Sequence, residues 1–201
     1  ELDALANIDF ATRTEKDEHR SLEIVRIGTC GGMQEDIPLG TFLVSEKSIG
    51  WDGVLAFYEG RDEIADLGFE DALVDFIHYP AKAARPYVVA ANSELVNRIA
   101  GDDMMRGCTI AANGFYGPQG RVLRCDLAVK DINERITDFR YEGQRITNYE
   151  MEGSAIAGLS LLMGHKAMTV CCVIAQRKVE AANTDYKPRI KQLVQTVLER
   201  I

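Results

Sequence analysis

Ala167-Met168-Thr169-Val170-Cys171-Cys172-Val173-Ile174-Ala175 is an uninterrupted apolar run with no charge. A strand packed on one face only alternates apolar and polar residues. A run of this kind is instead buried on both faces, as strands inside parallel or mixed sheets are. Helices must then cover the sheet, and the chain supplies them. Phe69, Ala72, Leu73, Phe76 and Ile77 recur at helical spacing and predict a helix ending near His78. Ile190, Leu193, Val194, Val197, Leu198 and Ile201 predict another at the end of the chain. Asn92 or Ser93 caps a third, which carries Leu95, Val96 and Ile99. Residues 154–162 are small and apolar at helical spacing, and 1–10 and 127–139 also read as helices. Strand-like segments at 23–29, 41–45, 87–90, 106–112 and 144–149 alternate with them. The fold class implied is α/β, in three layers, with a mixed central sheet flanked by helices.

The 201 residues suffice for one domain with a substantial core. Neither an internal repeat nor a linker divides them. The net charge of −8 argues against nucleic acid or an anionic membrane as the main partner. No apolar run reaches the roughly 18–20 residues that a membrane-spanning helix needs. The five cysteines, Cys30, Cys108, Cys125, Cys171 and Cys172, are odd in number and contain no Cys-x-x-Cys. They predict free thiols in a reducing, cytoplasmic setting, with Cys108, Cys171 and Cys172 as small core residues. His19, His78 and His165 are scattered, so no metal site and no Cys–His pair is expected. His19 and His165 read as surface residues.

Four stretches combine residue types that suit chemistry. In Arg26-Ile27-Gly28-Thr29-Cys30-Gly31-Gly32, glycines after a strand let backbone amides approach an anion, with a cation and a hydroxyl beside them. The stretch equally suits a tight turn with Arg26 in a surface ion pair. In Asn113-Gly114-Phe115-Tyr116-Gly117-Pro118-Gln119-Gly120-Arg121, an aromatic can stack on a flat ring. The Gln119 amide matches an adjacent C=O and N–H, and Arg121 can stabilise charge developing on a carbonyl oxygen. A polar surface loop is the alternative. Glu150-Met151-Glu152, at a strand-to-helix join, offers carboxylates for sugar hydroxyls and a thioether for a sugar face; helix-start carboxylates are the alternative. Ile174-Ala175-Gln176-Arg177 ends the apolar run with an arginine that either moves over a pocket or is simply solvated.

These four motifs, in this order, resemble those of uridine phosphorylases, within the nucleoside phosphorylase superfamily of the hexameric purine nucleoside phosphorylase type. The resemblance runs along the whole chain. It implies that residues 1–201 form a nucleoside phosphorylase-like domain that converts uridine and phosphate to uracil and ribose 1-phosphate. It implies phosphate binding by Arg26, Thr29 and the Gly28 backbone, and ribose binding by Glu150, Met151 and Glu152. Phe115, Gln119, Arg121, Ile174 and Ala175 would hold the base. Gln119, Arg121 and Arg177 would carry the catalytic work. Inorganic phosphate is then a co-substrate, with no cofactor, no metal and no nucleic-acid or membrane partner. A homo-oligomer is implied, a dimer or a hexamer of dimers, with sites at the dimer interface.

Purine-type relatives place an Asp near Ile174 and Ala175, and none stands there, which favours a pyrimidine. Two departures stand out. Gly153 occupies a position where the family usually has Ser. The family also carries early strands and a Gly-Asp-x-x-Arg phosphate loop ahead of the segment matched by Glu1-Leu2, so the chain reads as N-terminally incomplete. Three readings stay open beside this one. They are a purine phosphorylase or nucleosidase of the same fold, a non-catalytic nucleoside-binding or scaffold protein, and a flavodoxin-like domain with a phosphate turn.

Overall fold

The computed structural model describes residues 1–177 and 181–201. A small hairpin, β1 (Ile8–Asp9) with β2 (Thr14–Glu15), stands apart from the main sheet. The main sheet takes in β3 (Glu23–Gly32), β4 (Phe42–Gly50), β5 (Tyr87–Ala90), β6 (Met104–Ala111), β7 (Arg140–Tyr141), β8 (Gln144–Glu150), β9 (Lys166–Gln176) and β10 (Ala181–Ala182). The helices are α1 (Leu2–Asn7), α2 (Arg61–Ile64), α3 (Leu67–Ile77), α4 (Ser93–Ile99), α5 (Ile132–Asp138), α6 (Gly153–Leu162) and α7 (Lys187–Arg200).

The apolar run forms most of β9, and its burial has a topological cause. β9 runs parallel to β3 on one side and antiparallel to β4 on the other. β4 continues to β6, β6 to β8, and β8 back to β3. The mixed sheet therefore closes on itself through β9, β3, β8, β6 and β4, which leaves these five strands no open edge. Side chains alternate across it. Phe42, Val44, Met168, Val170 and Cys172 pack outward on Leu95, Val96 and Ile99 of α4 and on Leu193 and Val197 of α7. Leu43, Cys171 and Val173 turn the other way, onto Cys30 and Ile37. Helices α3 and α5 cover a second face through Phe69, Leu73, Ile77, Ile132 and Ile136.

The period of two breaks in two places that bear on function. Between β6 and β8, Cys108 faces Ile146 but Thr109 faces Asn148, so the register slips at Thr147. Ile146 and Tyr149 consequently share one core cluster although they are three residues apart. Between β3 and β9, Cys30 faces Val173 but Gly31 faces Ala175, a slip at Ile174. Such bulges re-aim side chains and recur beside active sites.

Three local expectations are corrected. The helix expected over 127–139 begins only at Ile132, because Leu127 and Val129 follow a period of two and pack on the core from an irregular segment. The helix expected over 1–10 ends at Asn7; Ile8 is extended, and Leu2 and Leu5 stay exposed. His165 is buried rather than at the surface. Its Nδ1 accepts from the Leu22 amide at 3.1 Å, which leaves Nε2 to donate to Asp3 at 3.1 Å.

Asp66 caps α3 by accepting from the Phe69 amide at 3.0 Å, and it also takes Lys47 at 2.6 Å. Burial opposes the Asp66 carboxylate, but the Lys47 and Phe69 bonds outweigh it and hold its pKa below the usual value. Asp66→Ala should lower unfolding stability by about 1–2 kcal/mol. Urea denaturation reads this as a lower midpoint with an unchanged slope; an unchanged midpoint would show that the cap contributes nothing.

Candidate functional site

Strand ends and one loop converge on a cleft of about 260 Å³. β3 contributes Arg26, Thr29, Cys30 and Gly31, and β8 contributes Tyr149 and Glu150. Met151 and Glu152 follow β8, and β9 adds Ile174 and Ala175. The 113–121 loop after β6 adds Phe115, Gln119 and Arg121. Ile174 and Ala175 both line the cleft although they are consecutive, because the register slips at Ile174. A larger hollow, about 720 Å³ around Phe57 and Arg61, has its arginines already paired: Arg61 with Asp62 and Glu70, Arg85 with Asp71.

At one side of the cleft, Arg26 meets two carboxylates. Its Nη1 lies 3.0 Å from Glu150 Oε2, and its Nη2 is bonded to Glu152. Nη1 also reaches Cys171 Sγ at 3.3 Å. Burial works against the Arg26 cation, but Cys171, Glu150 and Glu152 outweigh it and hold its pKa above the usual value. Gly28 shares a strand face with Arg26, and the guanidinium lies over it. A Cβ there would stand 2.8 Å from Nη1, so the glycine sets the position of Arg26 without itself lining the cleft.

The two glutamates differ in how they are held. Glu150 is buried, and its carboxylate accepts from the Glu152 amide at 3.0 Å and from the Gly153 amide at 3.0 and 2.9 Å. These are the first amides of α6, where a helix presents unpaired donors. Burial raises the Glu150 pKa, with Arg26 and the two amides opposing that rise. A side chain at position 153 would bring its Cβ within 3.0 Å of Glu150 Oε1 and of Thr169 Oγ1, so glycine there leaves the carboxylate its room. Glu152, in contrast, has a side chain 59% exposed, and Arg26 is the partner it has among the described residues. Met151 is also exposed.

A different cluster shares the cleft. Gln119 is only 4% exposed, and its Oε1 accepts from Arg121 and from Arg177, each at 2.6 Å. Two cationic donors on one atom fix which way the amide points. The Gln119 Nε2 is left without an acceptor among the described residues. Arg177 also donates to the Gln119 carbonyl at 2.6 Å and lies 4.7 Å from the centroid of the Tyr149 ring. Arg121 lies 3.8 Å over the Phe115 ring and donates to the Phe115 carbonyl at 2.5 Å. Neither arginine has a carboxylate partner among the described residues. Burial lowers both pKa values, and the nearby Arg121 charge helps pull Arg177 down to about 10. Arg177 therefore stands behind Gln119, not in the lining of the cleft.

Arg26, Thr29, Phe115, Gln119, Arg121, Glu150, Met151, Glu152, Ile174 and Ala175 thus come together as the sequence leads one to expect, with Gly28 and Arg177 one layer back. Tyr149 was not among the residues expected to line the site. Its hydroxyl donates to Asn133 at 3.2 Å and its ring meets Trp51 edge-on at 5.8 Å. It falls inside the motif that draws attention, but the slip at Thr147 sets its face, and no local pattern signals that slip.

Residues 6–200 match the family described as the Phosphorylase superfamily. The chain belongs to this superfamily. Among curated relatives, it is 28% identical over 161 residues to uridine phosphorylase A of Schistosoma mansoni, covering 76% of this chain and 47% of that one. It is 26% identical over 155 residues to uridine phosphorylase of Thermococcus kodakarensis, covering 76% of this chain and 48% of that one. The chain spans about half the length of these curated relatives. The superfamily fold is shared with a solved Trypanosoma brucei nucleoside phosphorylase whose structure is described as showing uridine phosphorylase activity. The TM-score there is 0.80 at 24% identity, over 99% of this chain and 74% of that one. Among the described residues no helix is long and apolar enough to cross a membrane. No cluster of His, Cys, Asp and Glu there could hold a metal ion.

The shared Gln119 acceptor makes a stability prediction. Gln119→Leu removes the oxygen that both guanidinium groups use and should cost about 1–3 kcal/mol. Gln119→Glu keeps an acceptor for each and should unfold no earlier than the unsubstituted chain. Thermal denaturation of the two variants checks this; equal losses would mean that packing volume, not the shared acceptor, holds the loop.

Proposed function

We propose that this chain forms the substrate cleft of a uridine phosphorylase, which converts uridine and inorganic phosphate to uracil and ribose 1-phosphate. The carrying observation is the Gln119 amide, its oxygen fixed by two arginines that have no carboxylate partner, and its N–H₂ without an acceptor, among the described residues. An amide so fixed donates to a carbonyl oxygen of a pyrimidine edge, and the arginines supply positive potential beside it. The names of the curated relatives support the same reading.

In this reading phosphate attacks the anomeric carbon while the N-glycosidic bond breaks. The sugar becomes oxocarbenium-like, as in other glycosyl transfers. Negative charge develops on the uracil, and Arg121 with Gln119 stabilises it as it forms, with Arg177 behind them. Arg26 and Thr29 hold phosphate, the sole co-substrate, and Gly28 beneath the guanidinium keeps Arg26 in place. Glu150, Met151 and Glu152 hold the ribose, and Phe115, Ile174 and Ala175 pack on the base. No electrons change hands, so no redox cofactor enters. Residues 1–201 act as one nucleoside phosphorylase-like unit, assembled as a homo-oligomer in the cytoplasm.

Uracil release from uridine, measured with and without phosphate and beside inosine, tests the reading. Uridine cleavage should require phosphate and exceed inosine cleavage. Arg121→Ala should lower turnover by at least about tenfold, since a donor to a developing oxyanion is commonly worth more than that. Phosphate-independent cleavage, or an Arg121→Ala protein of unchanged activity, would overturn it.

A further inference from the structure

We infer that Glu152 is an internal anion that holds the phosphate-binding arginine when the cleft is empty, and that capture of the ribose releases it. The inference rests on the phosphorylase reading above and adds a coupling between the two substrates.

It begins with a charge balance. Arg26 is one cation, and Glu150 and Glu152 both bind it. With both carboxylates ionised, that corner of the cleft carries a net negative charge. A phosphate anion arriving there meets repulsion and an arginine whose two terminal nitrogens are already engaged. Arg121 and Arg177 do not relieve this, because both are turned to Gln119. Removing one carboxylate from Arg26 would make the corner neutral and free a guanidinium edge for a bidentate oxyanion.

Only one of the carboxylates can leave. Glu150 has a side chain 1% exposed and is tied to the Glu152 and Gly153 amides. Moving it would strand these donors in the interior. Among the described residues Glu152 has no such ties. Its side chain is 59% exposed, and its bond to Arg26 is a single contact. Glu150 is therefore the fixed orienting partner of Arg26, and Glu152 the exchangeable one. Ribose hydroxyls offer Glu152 a replacement partner within the same cleft. Each substrate then favours the other: the sugar draws Glu152 from Arg26, and phosphate on Arg26 frees Glu152 for the sugar. By linkage the two effects have the same size.

Isothermal titration of the full chain with inorganic phosphate tests this, alone and with pseudouridine, whose C–C glycosidic bond resists phosphorolysis. In the unsubstituted chain, saturating pseudouridine should tighten phosphate binding about two- to fivefold, the scale of a partly exposed charge pair. Glu152→Gln should bind phosphate tighter by a similar factor with no nucleoside present, and pseudouridine should then add nothing. Glu152→Asp retains the charge but shortens the reach to Arg26, and should fall between the two. The position is exposed, and circular dichroism verifies that the variants fold. Equal or weaker phosphate binding by Glu152→Gln, or undiminished coupling in it, overturns the inference while leaving the phosphorylase reading intact. Absence of phosphate binding in every form overturns both.

Discussion

A carboxylate with almost no exposed surface must find donors inside the protein, and Glu150 finds them in two directions. The first amides of α6 hold it from one side, and Arg26 of β3 from the other. This arrangement joins the end of β8, the start of α6 and the neighbouring strand β3 through a single side chain. A buried ion pair gives little net stability once both ions are desolvated. Here its effect is positional. Arg26 is pinned across Gly28, the α6 terminus is fixed against β3, and the Met151–Glu152 turn is presented at the cleft rim. Gly28 and Gly153 are both needed for it, one beneath the guanidinium and the other beside the carboxylate.

The other cluster solves the opposite problem. Arg121 and Arg177 are partly or largely buried, near one another, and lack a counter-ion among the described residues. Gln119 tempers this by offering one oxygen to both, and the rings of Phe115 and Tyr149 face the two guanidinium groups. Arginine tolerates such a place better than lysine would, because its charge is delocalised and weakly hydrated. Burial, and after it the neighbouring Arg121 charge, lowers the pKa of Arg177. Nothing about folding calls for two arginines to share one neutral acceptor. A ligand that brings negative charge to this place would relieve the imbalance.

Much of this was legible in the sequence. The apolar run of β9, the cap at Asn92 and the 3.6-residue period of α7 follow from local pattern, since each reflects a periodicity that burial imposes. The four motifs also named most of the cleft. What they did not carry was anything set by register between strands. The slips at Thr147 and Ile174 depend on how two strands pair, and each strand alone reads as regular. The closure of the sheet through β4 and β9 is of the same kind. His165 looked like a surface residue because its partners, Asp3 and the Leu22 amide, lie far back in the chain. The Arg26–Glu152 bond spans more than half the sequence, so the carboxylate motif and the glycine motif looked like separate subsites until the fold placed them in contact.

Taken together, the two clusters give the cleft an ordered charge pattern. Arg121 and Arg177 supply positive charge, Glu150 and Glu152 negative, and Arg26 positive again. Arg177 lies over the Tyr149 ring and Tyr149 precedes Glu150 in the chain, so the two clusters meet at the end of β8. A glycosyl transfer to phosphate develops the complementary pattern: a departing anion, a sugar with cationic character, and an attacking anion. A cleft preorganised in this way need not reorient its dipoles as charge develops, which is the main source of electrostatic rate enhancement. The same pattern has a cost when the cleft is empty, because neighbouring opposite charges collapse onto one another. Both glutamates meet Arg26, but backbone amides also hold Glu150, whereas Arg26 is the partner Glu152 has among the described residues. The ion pair and the charge pattern therefore have one origin, and under the exchange proposed above the difference in how Glu150 and Glu152 are tethered singles out Glu152.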